Sequence, residues 1–266
     1  MYLQDLPKAE RGEHRLTSSR VQPSDRARIQ IVMPVHNEAD TIEQVLREIH
    51  AELSSRLEVE FILSEDGSRD GTPGVLQRLA GEFPIKLITG PERKGYARAV
   101  TDAFRLVDAD WVLFLDSDGQ YVPADYWRFH PYRETHDLIV GWRVRRVEPL
   151  GRRLMSRSFG LLHRLLFHVP LHDPSCSFVL MRRELITQLL PGLGRLTEGF
   201  WWEFTARAHA RGATIKEIPV QHRLRAQGQT RVFHPSAIPR IALRNVSGLL
   251  AIRGEIRRAA APRTRG

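Results

Sequence analysis

The chain has 266 residues, 42% of them hydrophobic, and a formal net charge of +9. That length supports one sizeable core, or a core with a small appendage. Cys176 is the single cysteine; it excludes an intramolecular disulfide, argues against a cysteine-based zinc site and favours a reducing, cytosolic setting.

Arginine carries nearly all of the positive charge, since lysine occurs only at Lys8, Lys86, Lys94 and Lys216. A surplus of this kind suits a phosphate-bearing partner (nucleic acid, anionic lipid or a phosphorylated substrate), and equally a solvated, arginine-rich surface. Residues 1–27 are polar and aperiodic, lack the apolar stretch of a secretory signal, and read as a mobile leader. Residues 29–35 form a short β-branched apolar run, a buried strand by pattern. Asp40 then stands as N-cap of a helix with apolar positions at Ile42, Val45, Leu46 and Ile49. Strand patterns follow at 59–63, 85–89 and 111–115, with helix patterns at 71–80 and 95–107 between them. This short-period alternation predicts an α/β fold, a Rossmann-like, mostly parallel sheet with helices on both faces. Further strands are expected at 138–141, 176–181 and 214–222, and helices at 152–169 and 198–211.

In such a sheet ligands gather at the carboxyl ends of the strands, and three polar clusters sit there. Asp116-Ser117-Asp118 follows the apolar 112–115. Two carboxylates two residues apart repel unless a cation lies between them, and hard oxygen ligands suit Mg²⁺ or Mn²⁺. Gln120 adds an amide oxygen; a solvated turn is the alternative use of the same residues. Glu65-Asp66-Gly67-Ser68-Arg69-Asp70-Gly71-Thr72 combines acids and hydroxyls around two glycines, with Asp66 as acceptor from a base or ribose, and Asp70 or Thr72 as a helix cap. Lys94-Gly95 at a helix start suits a diphosphate. None of the histidines shows metal-ligand spacing; His209 and His222 read as surface or satisfied residues.

Together with Pro34-Val35-His36-Asn37-Glu38, these motifs resemble those of family 2 inverting glycosyltransferases, whose nucleotide-sugar domain is called GT-A. His36 stands where tyrosine is usual and Glu65 where aspartate is frequent. The resemblance narrows through Gly141-Trp142-Arg143, Arg152-Arg153-Leu154-Met155-Ser156, Phe178, Arg182-Arg183-Glu184, Ile218-Pro219-Val220 and the 225–231 segment to the dolichyl-phosphate mannose synthase branch, which moves a hexose from a nucleotide diphosphate onto a polyprenyl phosphate. Ser177 replaces a usual glycine before Phe178, and Arg231 a usual lysine. The resemblance implies that Asp116, Asp118 and Gln120 hold the metal, with Asp118 also catalytic. It implies that Pro34, Val35, Asn37, Glu38, Asp66, Lys94, Gly95, Asp116, Ser117, Arg225 and Arg231 line the donor site, and that Arg143, Arg152 and Ser156 hold the lipid phosphate. Glu203, in Trp201-Trp202-Glu203-Phe204, occupies the place of the catalytic carboxylate in relatives with hydroxyl acceptors.

A phosphate acceptor is already anionic and needs orienting charge rather than a general base. Residues 152–169 and 236–253 mix leucines with arginines at helical spacing, either as interfacial helices or as core-packed ones. The expected organisation is therefore a leader (1–27), a GT-A domain (28–235) and a basic amphipathic C-terminal segment (236–266). The expected chemistry is metal-dependent transfer from a UDP- or GDP-hexose to a polyprenyl phosphate, with the protein peripheral on the cytosolic face of a membrane. Transfer to a soluble hydroxyl acceptor, with Glu203 as base, is the alternative. Nucleic-acid binding is not expected, because the arginines lie among acidic motifs and apolar stripes rather than among stacked aromatics.

Overall fold

The computed structural model describes residues 26–144, 150–224 and 238–260, the side chains of 150–157, 238–239 and 260 excepted. Within these, seven strands form one sheet: β1 (Arg28–Val35), β2 (Glu58–Glu65), β3 (Ile85–Ile88), β4 (Trp111–Phe114), β5 (Leu138–Arg143), β6 (Val179–Arg182) and β7 (Ile215–Val220). Their order across the sheet is β3-β2-β1-β4-β6-β5-β7. The inner strands β1, β2 and β4 are buried nearly throughout, as continuous apolar runs covered on both faces must be. Pairing is parallel everywhere except at β6, which runs antiparallel to both β4 and β5. The reversal has a local consequence. The start of β6 meets the end of β4, with Val179 opposite Phe114, so residues just before β6 join the carboxyl ends of its neighbours.

Helices α1 (Ile42–Leu53), α2 (Thr72–Leu79) and α3 (Tyr96–Phe104) connect the first strands. Helix α1 buries Ile42, Val45, Leu46, Ile49 and Leu53, the stripe its spacing predicts. Its expected cap is corrected: the N-cap is Thr41, without a side-chain cap bond. The Glu38 carbonyl accepts from the Thr41 and Ile42 amides and closes the first turn. The short α4 (Tyr126–Phe129) and α6 (Arg183–Leu189) had no distinct sequence signal, while α7 (Phe200–Ala210) lies where a helix was expected. Phe200, Trp201 and Phe204 of α7 interlock with Phe104 and Phe114; the Phe114 and Trp201 rings stand 4.6 Å apart. Burying each phenylalanine is worth roughly 2–3 kcal/mol, so this cluster fixes α7 against β4 and α3.

Two long helices complete the fold: α5 (Leu150–Phe167) and α8 (Ile238–Ala260). They pack on each other and on α7. Each helix buries one face and exposes another. His163, Phe167, Leu249 and Ile252 are buried, whereas Leu161, Leu165, Leu243 and Leu250 remain 60%, 62%, 72% and 53% exposed. No helix among the described residues is long and apolar enough to cross a membrane.

His163 ties α5 to α7. Its Nε2 lies 2.9 Å from the Trp202 carbonyl and its ring packs against Trp202 and Phe167. Burial pushes its pKa from 6.5 down to about 4, the Trp202 hydrogen bond opposing only in part. The unfolded chain therefore takes up this proton at higher pH than the folded one. Stability falls as pH drops through the unfolded value and levels off near the folded one, a loss of about 3 kcal/mol. Denaturant unfolding followed between pH 7 and pH 4 should show this slope, and His163→Gln should flatten it.

Candidate functional site

The carboxyl ends of β1, β2, β4, β5 and β7 and the start of β6 meet along one edge of the sheet. At its centre β4 gives way to Asp116-Ser117-Asp118. Gly119 continues at φ +73°, and the Gln120 amide donates to Asp118 Oδ1 at 3.2 Å. The turn foreseen as an alternative is thus present, and it fans the two carboxylates out from a buried strand. Ser117 turns inward and donates to the Pro34 carbonyl at 2.9 Å. The Gln120 side chain is anchored through Nε2 on the Arg223 carbonyl at 3.1 Å, which leaves Oε1 as its only ligating atom.

Three loops wall this turn, and their motif residues hold one another. Asn37 adopts a left-handed φ of +54°, which asparagine tolerates. Its Oδ1 accepts from the Arg69 amide at 2.8 Å, and its own amide donates to Ser68 Oγ. The Glu38 amide donates to Thr72 Oγ1, and Glu38 Oε2 accepts from Thr41 Oγ1, both at 2.8 Å. The expected cap of α2 at Asp70 or Thr72 is corrected: the N-cap is Gly71, without a side-chain cap bond, and Asp70 accepts from the Thr72 amide at 3.0 Å just before the helix. The Val35 carbonyl accepts from the Asp66 amide. Gly67, at φ +62°, has no room for a side chain, since a Cβ there would stand 2.5 Å from the Arg93 nitrogen.

Two groups expected at the donor, Asp66 as a partner for base or ribose and Lys94-Gly95 as a diphosphate cradle, meet each other within the chain. Asp66 accepts from the Lys94 amide at 2.6 Å and the Gly95 amide at 3.0 Å. The free N–H groups of this helix start, which favour an anion, have already found one within the chain. The Lys94 ammonium is exposed and pairs with Asp102 at 2.9 Å.

Asp116 is the most elaborately held residue of the site. Tyr96 donates to its Oδ1 at 2.9 Å and Ser177 to its Oδ2. Trp201 Nε1 donates to Tyr96 at 3.0 Å, and Tyr121 stands 3.0 Å from Ser177 Oγ. Burial pushes the Asp116 carboxyl up; the Ser177 and Tyr96 hydrogen bonds and the nearby Arg143 guanidinium pull it back, leaving it above the ordinary aspartate value. Arg143 is itself gripped by Asp173, with Nε and Nη2 at 2.8 and 3.0 Å, and Nη2 also reaches Ser175. Nη1 takes no part in that grip. Tyr96, Tyr121, Asp173 and Trp201 were not singled out from sequence. Ser177 was noticed only as a departure from glycine, and that departure supplies the hydroxyl on Asp116.

Glu203, expected as the carboxylate for a hydroxyl acceptor, is fully buried and both its oxygens are engaged. Oε2 accepts from the Leu196 and Gly194 amides at 2.9 and 3.2 Å, and Oε1 pairs with Arg207 at 2.9 Å. Arg207 continues to Glu255 of α8 at 2.7 Å. A general base needs access and an uncommitted lone pair; Glu203 instead fastens α7 to the 194–196 loop and α8. Of the remaining expectations, Arg225 and Arg231 lie outside the described residues, and Arg152 and Ser156 lie on α5 at positions whose side chains are outside the description.

Among the described residues no three His, Cys, Asp or Glu side chains cluster as a self-sufficient metal cage. The donor set is two carboxylates and an amide oxygen at one turn. That set fits a hard divalent cation held by one or two carboxylates and completed by substrate phosphates and water.

The fold is that of the GT-A glycosyltransferases. The model of the family described as "Glycosyl transferase family 2" matches residues 30–190, and the chain belongs to that family. Among curated relatives, glycosyltransferase AglD of Haloferax volcanii is 30% identical over 77% of this chain and 34% of its own length. The undecaprenyl-phosphate 4-deoxy-4-formamido-L-arabinose transferase of Pseudomonas fluorescens is 30% identical over 76% of this chain and 59% of its own length. The chain thus spans between a third and three fifths of these relatives. Among solved structures, glucosyl-3-phosphoglycerate synthase from Mycobacterium tuberculosis, in complex with Mn²⁺, UDP-glucose and phosphoglyceric acid, superposes with a TM-score of 0.63 at 20% identity over 87% of this chain and 81% of that one. Mannosyltransferase PcManGT from Pyrobaculum calidifontis, in complex with GDP-mannose and Mn²⁺, gives 0.57 at 18% identity over 92% and 78%.

The placement of Glu203 has a direct test. Glu203→Gln removes the charge facing buried Arg207 and should cost about 3 kcal/mol of stability. The KM for a nucleotide-sugar donor should stay near wild type. A variant with unchanged melting temperature and no transfer would restore Glu203 as the base.

Proposed function

We propose that this chain is an inverting, metal-dependent hexosyltransferase that moves a sugar from a UDP- or GDP-hexose to a polyprenyl phosphate. The observation that carries the reading is the Asp116–Asp118 turn at the end of β4, with Arg143 close enough to act on Asp116. The names of the AglD and aminoarabinose-transferase relatives, and the Mn²⁺ and nucleotide sugars bound by the solved neighbours, support it. Asp116, Asp118 and Gln120 would hold Mg²⁺ or Mn²⁺, which when bound neutralises charge on the departing diphosphate. Pro34, Val35, Asn37, Glu38, Asp66, Lys94, Gly95 and Ser117 then act chiefly as the preorganised wall of the donor site. Arg143 presents Nη1 to the acceptor phosphate, with Arg152 and Ser156 of α5 beside it in sequence and Arg225 and Arg231 closing over the donor. An acceptor phosphate oxygen attacks the anomeric carbon opposite the diphosphate; the new C–O bond forms as the bond to the diphosphate breaks, inverting the centre.

The acceptor's membrane is met, in this reading, by the outer faces of α5 and α8. Leu161 and Leu165 alternate there with exposed Arg164, and Leu243 and Leu250 with exposed Arg240 and Arg244. Leucine beside arginine at helical spacing suits the boundary of an anionic bilayer, making the protein peripheral.

A radiolabel assay with Mn²⁺, a panel of UDP- and GDP-hexoses and a short polyprenyl phosphate should place label in the organic phase with one donor. Asp118→Ala and Arg152→Ala should each lower it roughly 100-fold or more. Donor hydrolysis that needs Asp118, without organic label, would overturn the lipid acceptor and leave a transferase for a soluble one. In flotation with vesicles containing phosphatidylglycerol, the wild type should rise with the lipid in a salt-sensitive way, and the double variant Leu161→Asp, Leu165→Asp should stay at the bottom. Equal flotation of the two would remove this face from the reading.

A further inference from the structure

Two chains of hydrogen-bond donors converge on Asp116, and their proton directions are fixed by chemistry. The Trp201 indole can only donate, and it donates to the Tyr96 hydroxyl at 3.0 Å. The phenol proton is thereby directed onto Asp116 Oδ1 at 2.9 Å. On the other side the Ser177 amide donates to the Tyr121 hydroxyl at 3.2 Å. Tyr121 in turn stands 3.0 Å from Ser177 Oγ, and Ser177 donates to Asp116 Oδ2. Each carboxylate oxygen thus accepts one O–H, which blocks rotation of the carboxylate and leaves each oxygen a second lone pair in a fixed direction.

We propose that Tyr96 and Ser177 are positioning residues that set how tightly the Asp116–Asp118 turn holds a divalent cation, and that Trp201 acts on that affinity only through Tyr96. The inference rests on the metal-dependent reading of the site. Ligands aimed by outer hydrogen bonds typically lose 10–100-fold in metal affinity when those bonds are removed. Because Trp201 belongs to α7 and is wedged against Phe114, the packing of the helical layer sets the aim of a carboxylate at the sheet edge.

The test is a Mn²⁺ titration of full-length protein with UDP present, read as loss of the free-Mn²⁺ electron paramagnetic resonance signal. Tyr96→Phe and Ser177→Ala should each weaken Mn²⁺ binding roughly 10-fold or more. Trp201→Phe should weaken it severalfold alone and add nothing in the Tyr96→Phe background, a non-additivity that a general packing defect would not produce. Circular dichroism checks that each variant is folded. Folded Tyr96→Phe and Ser177→Ala proteins that bind within about twofold of wild type would overturn the positioning role while leaving the metal reading standing. A fully additive Trp201→Phe loss would reduce Trp201 to packing. A wild type that binds no Mn²⁺ in the presence of UDP would take down both readings.

Discussion

The desolvation of one carboxylate organises the functional edge of this protein. A charge at the end of a strand buried on both faces loses hydration and must recover it from fixed donors or a cation. Asp116 recovers it from Tyr96, Ser177 and the field of Arg143. Each compensator imposes its own requirement. Tyr96 opens α3, Ser177 must precede a strand that starts beside the end of β4, and Arg143 must sit at the end of β5. Arg143, taken out of water itself, requires Asp173, whose amide accepts its own support by donating to Glu217 of β7 at 2.8 Å. The chain of compensation crosses the sheet from α3 to β7.

The reversed strand is what makes that chain possible. With every strand parallel, the residues before β6 would lie at the opposite edge, and Ser177 would have no access to Asp116. One antiparallel strand brings a strand's start to the edge where the others end. The cost is small, because antiparallel pairing is at least as favourable per residue as parallel. The gain is two further side chains, Ser175 and Ser177, at the site.

The left half of the sheet was legible because its signals are local. Apolar runs of strand length alternating with amphipathic helices leave little freedom, and β1, β2, β4, α1 and α3 lie within a few residues of their patterns. The turn at Asp116 was legible for the same reason. What could not be read was which polar atoms would be spent inside the chain. Asp66 and Gly95 are 29 residues apart, and nothing in either segment says that the carboxylate of one fills the helix start of the other. Glu203 was open in a similar way: Trp-Trp-Glu-Phe on a helix is compatible with an acid facing a cleft or an acid facing Arg207 one turn on, and the Arg207–Glu255 pairing with α8 is not visible in that segment. Tyr96 and Trp201 were silent because a hydroxyl and an indole in aromatic surroundings look like core.

The burial of Glu203 also bears on the acceptor. A neutral hydroxyl becomes a competent nucleophile only if something takes its proton. The carboxylate nominated for that task is enclosed, with two amides on one oxygen and a guanidinium on the other. Asp116 accepts two hydroxyl protons of its own, and Asp118 supports the turn; as cation ligands, both would have their lone pairs drawn away from protons. A phosphate acceptor makes no such demand, since it arrives ionised and asks only for cationic groups to orient it. Arg143 offers a fixed one, already desolvated, with its orientation secured by Asp173. The acceptor that asks least of the described residues is therefore an anionic one. In the proposed reading, the leucine and arginine faces of α5 and α8 are where that anion is met at the surface of a bilayer.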